Sequence, residues 1–212
     1  MNSNLEESPA RPLTLGVISD THIPDRRKAL DPRVLPLFES RQVSAILHAG
    51  DVSAPAVLEA LARVAPVYAV RGNRDWLWLG GLPLVRRLSF NGVEVGLAHG
   101  HGGWLHYMLD RPVFTLFGVN VERLVARLQI HLPDSDVVVF GHTHLPLNRR
   151  IDGRLFFNPG SPHFPHRKQP QPSLGLLHFG VEGDVRGEVI DLEGRPIHLA
   201  APANGRVTQF RT

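Results

Sequence analysis

The sequence has no cysteine. Disulfides and thiolate metal sites are therefore excluded, and any bound metal must be held by imidazole nitrogen or by carboxylate or amide oxygen. A long block of basic residues is also missing, and 23 Lys and Arg against 20 Asp and Glu give a formal net charge of only +3. Nucleic-acid binding is therefore not expected, whereas a small anionic substrate suits the slightly basic balance.

Long apolar runs are absent as well. The first apolar run, Leu13–Ile18, is too short for a signal peptide or a membrane span. We therefore expect a cytoplasmic protein without membrane insertion. The polar residues 1–12 predict a disordered N-terminal tail, and residues 13–212 have the length of a single α/β domain. The sequence leaves open whether the chain forms a homo-oligomer.

Short apolar segments alternate with helical patterns in the first third of the chain. Buried strands are predicted at residues 13–19, 45–49 and 67–70, with one helix at 31–40 and a second helix that Ser53 caps. Pro36 counts against the first of these helices. The β-α-β-α-β order predicts parallel strands joined by crossover helices.

The pattern becomes richer in strands after this point. Two hairpins are predicted around Asn91-Gly92 and Asp152-Gly153, and a helix with one apolar stripe is predicted at 121–131. Further strands are predicted at 137–140, 174–179, 188–191 and 197–200. The chain as a whole predicts a β-rich α/β fold with two packed sheets, helices outside them and a helical insertion at about 102–132.

Side chains that can bind metals follow the predicted strands in five places. These are Asp20-Thr21-His22, Gly50-Asp51, Gly72-Asn73-Arg74-Asp75, His99-Gly100-His101 and Gly141-His142-Thr143-His144. Each motif alone is a weak signal, because such residue pairs are also common in caps and turns. In open α/β sheets, ligands bind beyond the carboxyl ends of the strands. Five such turns together therefore predict one converging site.

In this order, the motifs resemble those of the calcineurin-like metallophosphoesterases, over residues 13 to about 177. The short chain, the run from His48 to Asp51 and the run from Asn158 to Ser161 are most similar to the small prokaryotic phosphodiesterase branch. The resemblance implies an αββα sandwich of two mixed β-sheets flanked by helices, in agreement with the strand pattern.

The resemblance also implies a site for two divalent transition-metal ions. Asp20, His22 and His144 would hold the first ion, Asn73, His99 and His142 would hold the second, and Asp51 would bridge both. Manganese is expected, with Fe, Zn, Ni or Co as alternatives. A hydroxide shared by the two ions would attack phosphorus, and the ions would neutralise charge on the phosphoryl oxygens.

Arg74 departs from the family pattern. Many members have histidine at this position as a proton donor to the leaving group, but arginine cannot serve as an acid near neutral pH. It can bind a phosphate oxyanion instead, which leaves His101, another group or water as the proton donor. Asp75 is interpreted as orienting Asn73, Arg74 or a ligand histidine. Asp51, Arg74, Asp75 and His101 are thus the candidate catalytic residues.

The first functional hypothesis is a metal-dependent phosphodiesterase that acts on a small phosphate ester. A nucleotide-pyrophosphate or phosphomonoester hydrolase is the alternative within enzymes, and the run from Gly72 to Asp75 is also similar to the UDP-diacylglucosamine hydrolases. A third hypothesis is a catalytically inactive scaffold of the same fold, as in the retromer subunit that resembles this branch. All seven ligand positions carry a metal-competent residue, which favours an enzyme.

Overall fold

The computed structural model describes residues 11–76, 79–102 and 120–199. Within these ranges, ten strands form two five-stranded mixed sheets, and three helices flank them. The strands are β1 Leu13–Ile18, β2 Ala45–His48, β3 Val67–Ala69, β4 Val85–Phe90, β5 Val93–Ala98, β6 Val137–Val139, β7 Leu147–Ile151, β8 Arg154–Asn158, β9 Ser173–Phe179 and β10 Val185–Asp191. The helices are α1 Val34–Ser40, α2 Pro55–Ala62 and α3 Val121–His131.

Each of the two sheets contains three adjacent parallel strands. The first sheet has the strand order β10-β9-β1-β2-β3, and the second has the order β4-β5-β6-β8-β7. Strands β1, β2 and β3 are parallel, as are β5, β6 and β8. The remaining pairs are antiparallel. Because parallel strands end at the same edge of a sheet, the loops that follow these six strands are brought together.

The main apolar core lies between the two sheets. Successive side chains of a strand point to opposite faces, so Leu15 and Val17 of β1 face this core, as do Val137 and Val139 of β6. Helices α1 and α2 pack on the outer face of the first sheet, and α3 packs on the outer face of the second. The layers therefore follow the order helix, sheet, sheet, helix, and the predicted αββα sandwich is confirmed.

Helix α1 packs closely on β1 at Gly16. The ring of Phe38 lies so near that a Cβ at Gly16 would be 2.9 Å from it. Pro36 lies in the first turn of this helix. Backbone N–H groups in the first turn have no partner within the helix, so the missing N–H of proline is tolerated there. The predicted helix is thus confirmed, with its start at Val34.

The predicted cap of α2 is wrong. The helix begins at Pro55, and the preceding Ala54 is extended and makes no side-chain cap bond. The N–H of Ser53 donates instead to Oδ1 of Asp75, at 2.7 Å. Proline suits the first helical position because its φ is fixed near the helical value and its N–H is not needed there.

Both predicted hairpins are confirmed, whereas one predicted strand is wrong. Asn91 and Gly92 have φ values of 50° and 77°, and the Asp152-Gly153 turn has values of 50° and 80°. These left-handed values match the twist of the strands that a two-residue turn joins. No strand forms at the described residues of 197–200. Pro196 makes one isolated bridge to Ile190, and without an N–H it cannot extend the ladder.

Parts of three predictions lie outside the described residues. These parts are residues 1–10 of the tail, 103–119 of the insertion and 200–212 of the domain. The domain boundaries therefore stay predictions. None of the helices in the described ranges has the length and apolar character that a bilayer crossing requires.

Candidate metal centre

All seven predicted metal ligands lie in loops that follow parallel strands. Asp20 and His22 follow β1, Asp51 follows β2, Asn73 follows β3, His99 follows β5, and His142 and His144 follow β6. The structure brings these side chains together where the two sheets face each other. The convergence predicted from the strand order is therefore what the fold produces.

Five of these seven residues have a left-handed backbone conformation. They are Asp20, His22, Asp51, His142 and His144, with φ between 51° and 69°. Such a conformation costs a non-glycine residue about 1–3 kcal/mol, so the surrounding structure must hold it. The N–H of Asp20 donates to the Gly50 carbonyl, and the N–H of His22 donates to the Asp51 carbonyl, both at 3.0 Å. The loops after β1 and β2 thus stabilise each other.

Gly141 lets the loop after β6 approach the loop after β1. A Cβ at this position would collide with Ser19 Oγ and lie 2.8 Å from Oδ2 of Asp20. That oxygen accepts the hydroxyl of Ser19 at 2.6 Å and the N–H of His142 at 3.1 Å. One oxygen of Asp20 is therefore fixed by the protein, and the other, Oδ1, is left for the site.

Asp20, His22 and His144 form a first cluster. One possible ligand atom from each lies within 4.8 Å of the others. Nε2 of His144 is 3.4 Å from Oδ1 of Asp20 and 3.1 Å from Nε2 of His22. The Nδ1–H of His144 donates to the Phe164 carbonyl at 2.6 Å. Its Nε2 therefore presents a lone pair to the cluster.

Asn73, His99 and His142 form a second cluster. Oδ1 of Asn73 lies 3.1 Å from Nε2 of His99 and 3.0 Å from Nδ1 of His142. The Nδ1–H of His99 donates to the Ala49 carbonyl at 2.7 Å. This bond fixes the ring and leaves Nε2 of His99 for the cluster.

Asp51 lies between the two clusters. Its Oδ1 is 3.5 Å from Nε2 of His99, and its Oδ2 is 3.8 Å from Nε2 of His22. The backbone N–H of Arg74 donates to Oδ1 at 2.9 Å and holds the carboxylate in this orientation. One carboxylate thus reaches both groups of side chains.

The electrostatics of the site favour positive charge in both clusters. Burial by itself lowers the pKa of His99, but the carboxylates of Asp51 and Asp20 outweigh burial and raise this pKa. The pKa of His144 is likewise raised against burial, mainly by Asp20. Burial tends to raise the pKa of Asp20, but the charges of His144, His99 and His22 lower it. Two positions, one in each cluster, therefore attract a cation.

Burial is the largest influence on the pKa values of Asp51 and His22. It raises the pKa of Asp51 to about 6 and lowers the pKa of His22 to about 3. Near pH 7 the ring of His22 is therefore neutral, which is the form that binds a metal. At mildly acidic pH, protons therefore compete with a metal ion for the carboxylate of Asp51.

The donor set fits divalent cations. Oδ1 of Asp20 is buried and has no hydrogen-bond partner among the described residues, although buried polar atoms are nearly always satisfied. A cation next to this oxygen and the two facing ring nitrogens of His22 and His144 would satisfy all three atoms. Nitrogen and oxygen donors without sulfur suit Mn²⁺, Fe, Co or Zn²⁺.

Comparison with known proteins agrees with this geometry. The sequence model of the calcineurin-like phosphoesterase superfamily domain matches residues 13–181. The chain belongs to this superfamily. The matched residues include strands β1 to β9 and all seven candidate ligands. The predicted family is therefore confirmed, and the protein is a phosphoesterase by family.

Curated relatives, including small prokaryotic phosphoesterases, match most of the chain. A probable metallophosphoesterase of Methanothermobacter thermautotrophicus is 34% identical over 185 residues, which cover 87% of this chain and 95% of that protein. The phosphodiesterase YfcE of Escherichia coli K12 is 33% identical over 169 residues, which cover 70% of this chain and 80% of that protein. Vacuolar protein sorting-associated protein 29 of Schizosaccharomyces pombe is 29% identical over 178 residues, with 83% and 87% covered.

Solved structures have the same fold. Vacuolar protein sorting 29 of Cryptosporidium parvum aligns with a TM-score of 0.69 at 24% identity, covering 88% of this chain and 95% of that one. The Vps29 of Entamoeba histolytica in complex with Zn²⁺ aligns with a TM-score of 0.61 at 25% identity, with 85% and 99% covered. The phosphoesterase fold thus extends over most of the chain.

Asp75 connects two of the ligand loops. Its buried carboxylate accepts the N–H of Ser53 at Oδ1 and the N–H of Gly72 at Oδ2, each at 2.7 Å. Both oxygens are engaged with backbone, so these contacts make Asp75 a positioning residue for the loops after β2 and β3. The orienting role predicted for Asp75 therefore acts on the loops themselves, and its place among the catalytic residues stays a prediction.

His101 lies beside the second cluster and outside it. Its ring centroid is 5.4 Å from that of His99 and 6.3 Å from that of His142. Burial lowers the pKa of His101 to about 3, so the ring is neutral near pH 7. A neutral imidazole is a poor proton donor. Of the three proton sources predicted for the leaving group, water or another group therefore fits better than His101.

The side chain of Arg74 lies at the mouth of the site. Its exposed fraction is 36%, and its Nη1 is 3.7 Å from Oδ2 of Asp25. An ion pair exposed to this extent contributes only about 0–1 kcal/mol. The guanidinium can therefore exchange Asp25 for an incoming phosphate.

His48 connects two of the ligand loops by hydrogen bonds. Its Nδ1 accepts the N–H of Gly50 at 3.2 Å, which places the ring proton on Nε2, 3.2 Å from the hydroxyl of Thr21. That hydroxyl can donate to the Val52 carbonyl at 3.2 Å. Burial lowers the pKa of His48 to about 3 and keeps the ring neutral. His48 therefore orients the loops that carry Asp20 and Asp51.

Sequence reasoning missed the contributions of His163 and Phe164. The Phe164 carbonyl accepts from His144, and its ring contacts the ring of His22 edge-on at 5.7 Å. His163 donates from Nδ1 to the Thr21 carbonyl at 3.1 Å and accepts the N–H of Asp31 at Nε2, at 3.0 Å. The signal that could have found them is their place in the loop after β8, a parallel strand that ends at the site.

Proposed function

We propose that the protein is a metal-dependent phosphodiesterase with two ions per chain. Asp20, His22 and His144 would hold one ion, Asn73, His99 and His142 would hold the other, and Asp51 would bridge them. The observation that supports this most is the buried Oδ1 of Asp20, which makes no hydrogen bond within the described residues and faces the ring nitrogens of His22 and His144. Mn²⁺ is the proposed metal, and Zn²⁺ is supported as an alternative by the Entamoeba histolytica complex.

Two bound divalent ions would supply a nucleophilic water at neutral pH and neutralise charge on the phosphoryl oxygens. The chain itself does the positioning. His99 and His144 are fixed by backbone carbonyls, and Asp20 is fixed by Ser19 and His142. Pre-positioned ligands do not have to reorganise during the reaction, which is the main electrostatic advantage of such a site.

Arg74 binds the substrate phosphate in this proposal. Its backbone is anchored to the bridging Asp51, and its guanidinium is held only by a weak pair with Asp25. A guanidinium presents two parallel N–H groups to a phosphate and stays charged at any physiological pH. Arg74 can therefore stabilise a phosphate oxygen, but it does not protonate the leaving group. Water donates that proton in this proposal.

A matched pair of variants tests the proposal. Purified protein loaded with Mn²⁺ should contain about two ions per chain by mass spectrometry and should hydrolyse bis(p-nitrophenyl) phosphate. Asp51→Asn should abolish turnover and weaken the binding of both ions, because the bridging charge is lost. Asp152→Asn is the control, because Asp152 is exposed in a hairpin turn and asparagine tolerates its left-handed φ of 50°. Full activity of Asp51→Asn would contradict the proposal.

A scaffold of the same fold is the second candidate. The likeness to vacuolar protein sorting-associated protein 29 supports keeping it. Metal-dependent turnover of any ester excludes a purely structural role, and its absence in metal-loaded protein would favour that role. A preference for p-nitrophenyl phosphate over the diester would instead favour a phosphomonoester hydrolase, and turnover of sugar nucleotides would favour a pyrophosphate hydrolase.

A further inference from the structure

A cleft of about 490 Å³ opens directly beside the first cluster, at His144. Its walls come from the loops after β1, β6 and β8. They include Arg26, His163, Phe164, His166 and Arg167. No carboxylate is among the described residues that line it.

Two of these loops carry five basic residues, of which Arg26 and Arg167 line the cleft. Arg26, Arg27 and Lys28 come from the loop after β1, and Arg167 and Lys168 come from the loop after β8. The ion pairs within the described part of the chain involve none of these five side chains. The neighbouring Asp25 faces Arg74 instead. The cleft therefore carries positive charge that no ion pair within the described residues neutralises.

Phe164 holds this charge close to the first cluster. The guanidinium carbons of Arg26 and Arg27 lie 5.3 Å and 5.7 Å from the centroid of its ring. Cation–π attraction at such distances keeps both groups near this ring. The same ring contacts His22, and the same residue accepts the hydrogen bond from His144. An anion in the cleft would therefore lie next to the first cluster.

We propose that this cleft binds a second phosphate group of the substrate. The preferred substrate would then be a phosphodiester that carries a further phosphate, so that the scissile group lies at the seven-residue site and the further group lies between Arg26 and Arg167. A phosphate suits the cleft because arginine binds phosphate oxygens in a bidentate manner, and several uncompensated cations favour a dianion. This inference rests on the proposed function for the identity of the scissile group.

Calorimetry with two nucleotides tests the inference without turnover. Mn²⁺-loaded protein should bind thymidine 3′,5′-bisphosphate about tenfold more tightly than thymidine 5′-monophosphate, a difference equivalent to about 1.4 kcal/mol. In the double variant Arg26→Ala, Arg167→Ala this ratio should fall to about 1, because the affinity for the monophosphate stays unchanged and only that for the bisphosphate is lost. Circular dichroism checks that the variant is folded.

Arg63→Ala is the matched control. Arg63 is an exposed arginine at the end of α2, ahead of β3, so it lies at the edge of the sheet opposite to the site. Its removal takes away one positive charge, as each of the two substitutions in the double variant does, and should leave the ratio intact. If the ratio fell equally in the control, the loss of bisphosphate affinity would be explained by overall charge, and the inference would be overturned.

Kinetics separate this inference from the proposed function. The p-nitrophenyl ester of thymidine 5′-phosphate is compared with the same ester bearing a 3′-phosphate, and the second should have the higher kcat/KM in the native protein only. Equal binding of the two nucleotides by the native protein overturns the inference, even if both esters are hydrolysed. Selective binding of the bisphosphate without hydrolysis of either ester supports the cleft and refutes the proposed function.

Discussion

Replacing Asp75 with asparagine should loosen the two loops that carry Asp51 and Asn73. The carboxylate of Asp75 is fully buried and accepts two backbone N–H groups at 2.7 Å. Asparagine keeps one acceptor oxygen and turns an NH₂ group toward the other N–H. Hydrogen bonds to a charged group contribute about 1.5–3 kcal/mol, and a buried donor without a partner costs about 1–3 kcal/mol. The lost hydrogen bond and the unpaired N–H are partly the same contribution. We therefore expect a loss of about 2–4 kcal/mol in the free energy of unfolding.

Urea denaturation of metal-free Asp75→Asn measures this loss, and calorimetry with Mn²⁺ measures the effect on the site. Affinity for Mn²⁺ should fall together with stability, because the loops after β2 and β3 carry proposed ligands. The control is Asp136→Asn, since Asp136 accepts a single backbone N–H, from Glu94, at an exposed position where water can replace it. The control should lose less than about 1 kcal/mol. Equal losses in the two variants would refute the reasoning.

Three further predictions concern metal binding and the approach of the loops. Because burial raises the pKa of Asp51 to about 6, protons should displace Mn²⁺ as the pH falls through that value, and calorimetry that gives equal affinity on both sides would contradict this. Gly141→Ala should weaken Mn²⁺ binding and lower the Tm, because its Cβ collides with Ser19 Oγ, whereas Gly81→Ala should do neither, since nothing lies within 4 Å of its Cβ. Metal present at 100 times its Kd should raise the free energy of unfolding by about 2.7 kcal/mol per site. A chelator that removes the metal should reverse this gain, and an unchanged Tm would refute the prediction.

The layers and the convergence of the site could be predicted because they follow from local rules. The Asn91-Gly92 turn requires left-handed residues, and the sequence places them between two strands. The motifs at Asp20 and Asp51 follow parallel strands of the first sheet, and the motif at His142 follows a parallel strand of the second, so each sheet brings its ligands to one edge. The meeting of the two edges depends on the packing of the sheets, which the family resemblance implies.

The errors arise where partners distant in sequence decide the local structure. Ser53 carries a good capping side chain, but its N–H is bound by Asp75, and Pro55 sets the start of the helix. The role of Asp75 itself depends on two backbone groups from separate loops. Phe164 lies in a loop with no metal-binding motif, and its contacts with His22 and His144 follow only from the folded chain. Such contacts leave no periodic signal in the sequence.

Anomalous diffraction from crystals grown with Mn²⁺ would locate the bound ions. Two anomalous peaks per chain are expected, one between Asp20, His22 and His144 and one between Asn73, His99 and His142, with Asp51 in contact with both. A single peak, or two peaks that do not share the Asp51 carboxylate, would contradict this expectation.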